Sequence, residues 1–132
     1  MTKKCEPSLI HDKKDRVELS RVLVQIFDLW QLSITEQTNL LGLSIVSRVT
    51  LNRYREGKPL AAHRDLIDRA CNVIRIYTSL EMLFPGNPKL SLVWVRTRNR
   101  AFGNLMPISV MCEKGYLGLV QVRRYLEFEK GR

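Results

Sequence analysis

The sequence predicts an all-α fold. Three observations carry that prediction. Apolar residues recur at spacings of three and four along several stretches, glycine and proline punctuate the gaps between them, and no convincing strand pattern appears. Apolar residues make up 45% of the 132 and charged residues 27%, a balance that supports a buried core and argues against wholesale disorder. The length suits one domain, or two very small ones sharing a core.

Residues 1–15 read as a flexible, mixed-charge arm without the apolar stretch of a secretion signal. A first helix over 16–32 follows from the stripe Leu19, Val22, Leu23, Ile26, Leu29 and Trp30. Ser33 and Thr35 precede Glu36 and Gln37, the hydroxyl-then-acid pattern of a helix start, so a short second helix occupies 35–41. Gly42 closes it. A third helix begins between Ser44 and Ser47 and reaches Arg55, where Gly57, Lys58 and Pro59 stop it. The fourth and longest spans 63–84, with Leu66, Ala70, Val73, Tyr77, Leu80 and Phe84 on one face. Pro85-Gly86-Asn87-Pro88 breaks it, and a fifth helix covers 88–98, although residues 90–95 also have strand character. Residues 99–107 form a loop. Pro107 opens a sixth helix to Glu113, Gly115 ends it, and a seventh spans 116–128.

The short second helix, a glycine-containing turn and an arginine-rich third helix make a helix-turn-helix within residues 16–60. Leu51 and Tyr54 are expected to pack inward, which leaves Arg48, Thr50, Asn52, Arg53 and Arg55 outward. Arginine and asparagine read guanine and adenine edges bidentately, and Lys58 reaches a phosphate. Promoter-type double-stranded DNA is therefore one expected partner. The turn is longer than in the tightest form of the motif, so a solvated basic face on a plain three-helix unit is the competing reading. Helix-turn-helix proteins of this kind pair to read two half-sites, and the stripe of residues 19–30 either forms a homodimer or only seals the domain.

A net charge of +9 favours an anionic partner. The excess is not confined to the helix-turn-helix half: residues 1–60 carry ten Lys/Arg against seven Asp/Glu, and residues 61–132 carry twelve against six. Cys5, Cys71 and Cys112 are widely spaced and match neither a zinc site nor a disulfide framework; Cys71 and Cys112 read as small core residues. His11 lies in the arm and His63 at a helix start, with no nucleophile-and-base pattern and no phosphate-binding glycine loop. No enzymatic activity, cofactor, metal or small-molecule substrate is expected. Nor is a membrane span, and the cysteine usage suits the cytoplasm.

The C-terminal half carries a set of residues in a fixed order: Leu83-Phe84-Pro85, Trp94, Asn99-Arg100-Ala101-Phe102-Gly103, Pro107, Gly115, Gly118-Leu119 and Val122-Arg123-Arg124-Tyr125-Leu126. With Leu40-Leu41-Gly42-Leu43-Ser44, Arg53-Tyr54-Arg55-Glu56-Gly57 and the stretch from Asp65 to Arg69, this set resembles the Xre/MbcA/ParS antitoxins over roughly residues 25–130. The resemblance implies a two-part antitoxin. Its Xre-like helix-turn-helix binds the operon's own promoter, and residues 61–132 bind a RES-domain toxin that consumes NAD⁺, covering the toxin's active-site entrance. On that reading Trp94, Asn99, Phe102, Gly103, Pro107, Arg123, Arg124 and Arg132 face the toxin. Trp94 and Phe102 are either interface anchors or core. Asn99 and Gly103 shape a turn. The basic end formed by Arg123, Arg124, Lys130 and Arg132 suits a pocket that receives a phosphate-bearing dinucleotide. Arg132 is the group that enters it, or the tail from Glu127 is disordered in isolation. The alternative function is a stand-alone helix-turn-helix transcription regulator without a toxin partner.

Overall fold

A computed structural model describes residues 5–10, 12–44 and 47–132. His11 and the start of the arm lie outside the described residues, as do two positions of the turn before the third helix. The described residues form seven α-helices, with an isolated bridge between Asn99 and Leu105 in place of any strand.

Helix α1 spans Lys13–Leu29. It starts three residues before the expected position because Asp12, not a later residue, caps it: the Asp12 carboxylate accepts from the Asp15 N–H at 2.8 Å. Ser33 opens α2 (Ile34–Leu41) with a reciprocal capping box, its hydroxyl accepting from the Glu36 N–H while the Glu36 carboxylate accepts from the Ser33 N–H. Gly42 ends α2 at φ +69°, a left-handed backbone that favours glycine, and the Arg69 guanidinium packs over it. Ser47 caps α3 (Arg48–Arg55). The remaining helices are α4 (Arg64–Leu83), α5 (Lys89–Val95), α6 (Pro107–Glu113) and α7 (Gly115–Lys130). Residues 90–95 are helical. The chain from Glu127 to Lys130 continues α7 as an ordered turn.

Every apolar position of the 19–30 stripe except the half-buried Leu29 is buried within the single chain. That stripe seals the domain, and it is not a free face on which a second copy packs. Helix α1 lies on α3 and α4, and α2 bridges to α4, α6 and α7. One core therefore runs through both halves, with Trp30, Leu40, Leu60, Leu80, Met111 and Leu119 fully buried in it. Each such side chain contributes about 1.5–3 kcal/mol by leaving water. The most extensive helix contact is the α4–α7 seam. Residues 5–10, expected in a flexible arm, contain a 3-10 turn at Pro7–Leu9 that packs against α4, with Cys5 and Ile10 against the core.

Candidate functional site

Two surfaces carry the residues singled out by the sequence. On α3, Leu51 and Tyr54 turn inward as the spacing predicts. Arg48, Asn52 and Arg53 are exposed, and Val49 between them is 72% exposed. Thr50 is half-buried, its hydroxyl oxygen accepting from the Ser47 hydroxyl at 2.8 Å, so it secures the helix start. Arg55 is committed to α1: its guanidinium donates to both carboxylate oxygens of Asp28 at 2.8 and 2.9 Å. Lys58 is exposed just beyond the helix.

In the C-terminal half, residues 99–105 form a built turn. Asn99 Oδ1 accepts from the Ala101 N–H at 2.9 Å, and the Asn99 N–H donates to the Leu105 carbonyl at 3.0 Å. Gly103 and Asn104 both lie in the left-handed region, at φ +65° and +67°, and the Leu105 N–H closes back onto the Phe102 carbonyl. Paired positive φ values are the signature of a primed turn, where glycine and asparagine cost least. The turn drives Phe102 inward. Only 5% of Phe102 is exposed, and its ring meets Tyr125 at 5.1 Å and Trp94 at 6.2 Å, both edge-on. Trp94 and Tyr125 stack at 6.3 Å. This three-ring cluster joins α5, the turn and α7. Of the two expected anchors, Phe102 is core and Trp94 is half-buried at its edge. Pro107 is buried at the start of α6.

Along the α4–α7 seam, polar residues pair across the two helices. The Tyr116 hydroxyl donates to Asp68 at 3.0 Å, and burial, with this bond added, pushes the tyrosine above its ordinary range. Arg123 donates from Nε to Asn72 Oδ1 at 2.5 Å and from Nη1 to Glu127 at 2.9 Å, while Arg75 holds the other Glu127 oxygen at 2.8 Å. Arg123 is thus part of the seam. Arg124 is exposed, and Arg132 pairs with Glu129 at 3.0 Å at the solvent-facing end.

The outer face of α7 adds Leu117, Gln121 and Phe128 to the Arg124 expected from the sequence. Leu117, Gln121, Arg124 and Phe128 follow one another at helical spacing, all exposed, with Leu117 at 75% and Phe128 at 68%. Their exposure shows only once the opposite face of the helix is seen to be filled by Leu119, Val122 and Leu126. Tyr125 belongs to the set that carries the resemblance but had no role assigned, since nothing local reveals that it stacks on Trp94.

Residues 79–131, the segment from the end of α4 through α7, match the antitoxin Xre/MbcA/ParS C-terminal toxin-binding domain. Over this segment the chain is similar to the Xre/MbcA/ParS antitoxins. The matched segment contains the aromatic cluster, the primed turn and the α7 stripe, so the toxin-binding domain owns all three. It also contains Gly118, whose added Cβ would lie 2.1 Å from the Val110 carbonyl oxygen. The glycine lets α7 press directly on the backbone of α6. A search of curated proteins found no match. Among the described residues, no helix is long and apolar enough to cross a membrane.

Proposed function

We propose that this chain neutralises a RES-domain toxin that consumes NAD⁺, by seating its C-terminal domain over the toxin's active-site entrance. The observation that carries the reading is the toxin-binding domain at 79–131 together with the exposed Leu117–Arg124–Phe128 stripe on its last helix. Two large apolar side chains flanking an arginine on an open helix face fit the composition of interface hot spots. Arg132 and Lys130 lie one turn beyond, where a basic end suits a pocket shaped for dinucleotide phosphates. Trp94, Asn99, Phe102, Gly103 and Pro107 then act from beneath, holding the turn and α7 in place, and Arg123 sets the pitch of α7 on α4. The chain inhibits by occlusion and supplies no catalytic group. Co-purification of the full chain with the RES-domain product of the neighbouring gene tests this; absence of a complex removes the reading.

The same chain binds its own promoter through α3, as a homodimer. Arg48, Asn52 and Arg53 present donors for base edges, Val49 an apolar contact for a thymine methyl, and Lys58 a phosphate contact. Thr50 and Arg55 brace the helix from Ser47 and Asp28. The stand-alone regulator would bind DNA equally well but leave the α7 stripe without a partner. Mobility shifts across a salt series, with light scattering for the dimer, check this half of the proposal.

A further inference from the structure

Cys5 and Cys71 are 66 residues apart in sequence and in contact in space, their sulfurs hydrogen-bonded at 2.8 Å. Both are free thiols. Cys5 stands at the head of the 3-10 turn that packs on α4, and Cys71 points at it from α4. We propose that this pair is an oxidation site, at which a hydroperoxide converts the two thiols into an intramolecular disulfide that staples the N-terminal segment to α4.

The surroundings set the order of events. Cys71 is buried, and holding its own proton against the Cys5 sulfur, together with burial, pushes its thiol well up, so it stays protonated and shielded. Cys5 is half-buried and lines a groove of about 250 Å³ with Arg75, Glu127 and Lys130, which gives a peroxide room to reach it. Cys5 sulfur attacks the peroxide, the O–O bond breaks, and Cys5 sulfenic acid and one water form. Cys71 sulfur then attacks the sulfenic sulfur, the S–O bond breaks, and its hydroxide leaves with the Cys71 proton as a second water. Two thiols and one hydrogen peroxide thus give one disulfide and two waters. The sulfurs have only to close from 2.8 Å to about 2.05 Å. Cys112 is held elsewhere, against the Glu36 carbonyl at 4.0 Å, and burial pushes its thiol up to about 11, so it serves as an internal control.

The staple closes a loop that contains α1, α2 and α3, and it fixes the segment beside Glu127 of the toxin-binding domain. Restricting so long a loop in the unfolded chain raises the melting temperature, on the order of 10 °C.

The test treats the reduced full chain with stoichiometric hydrogen peroxide, then denatures and blocks remaining thiols with a maleimide. Expected are label on Cys112 alone, a Cys5–Cys71 peptide on mapping without reductant, and a melting temperature that returns to the reduced value with dithiothreitol. C5S, altered at the edge of the fold, keeps Cys71 and Cys112 labelled and shows no peroxide-dependent shift. C71A leaves Cys5 as sulfenic or sulfinic acid. A disulfide between Cys5 residues of two chains, or sulfinic Cys5 beside labelled Cys71 in the unaltered chain, overturns the proposal.

Discussion

Arg96 donates from Nη1 and Nη2 to the two carboxylate oxygens of Glu36, each at 2.9 Å, and Nη2 also reaches the backbone carbonyls of Trp30 and Gln31. Glu36 is at the same time the partner of Ser33 in the capping box of α2. One arginine of the toxin-binding domain therefore clamps the end of α1 and the start of α2. Trp30 adds a second tie across the same boundary, its indole N–H donating to the Ser91 hydroxyl at 3.3 Å. Arg96→Ala leaves a carboxylate and two carbonyls short of a donor and should cost about 2–3 kcal/mol, read as a lower urea midpoint with an unchanged slope.

The clamp has a pH signature. Hydrogen bonds from Arg96 hold Glu36 below its ordinary value of 4.5. The folded chain thus binds the Glu36 proton less tightly than the unfolded chain does. The resulting stability is fully present above pH 4.5 and is lost as pH falls through the lowered folded value. Melting temperatures from pH 7 down to pH 3 should therefore fall less steeply for Glu36→Gln than for the unaltered chain.

Gly118→Ala tests the contact between α6 and α7. The new methyl group meets a backbone carbonyl at 2.1 Å, and backbone yields less readily than a side-chain tip. A loss of about 1–3 kcal/mol is expected, with α7 displaced and toxin binding weakened together. Full stability and full binding in this variant would show that the two helices do not need their close approach.

Leu117→Glu and Phe128→Glu should each leave the melting temperature within a degree or two and weaken a toxin complex at least tenfold, about 1.4 kcal/mol. Titration calorimetry beside circular dichroism separates the two readouts.

Neighbouring arginines should part company. Arg123→Ala breaks the pairing with Asn72 and Glu127 and should destabilise the chain by about 1–3 kcal/mol. Arg124→Ala should change stability by no more than about 0.5 kcal/mol and act only on binding. Denaturant unfolding of the two variants decides the assignment.

The helices were legible because their signals are local. The spacing from Leu66 to Phe84 declares α4, Gly42 needs its left-handed backbone within its own turn, and Pro107 starts α6 where it stands. The site was legible only as a region. Arg55 looks like Arg53 in sequence, yet Asp28, a helix away, claims it. Phe102 and Phe128 are both single aromatics near glycine or charge, and only the primed turn and the packing of α7 send one inward and leave the other in solvent. The Cys5–Cys71 contact joins two ends of a long loop, a relation that spacing cannot express.

The most direct measurement is cellular NAD⁺ and growth when the neighbouring RES-domain protein is produced with and without this chain. Co-production of the full chain should restore both, and Leu117→Glu or Phe128→Glu, folded and present at equal level, should restore neither. An unaltered chain, folded and as abundant as the toxin, that leaves NAD⁺ depleted and growth arrested would contradict the account, as would either variant restoring both.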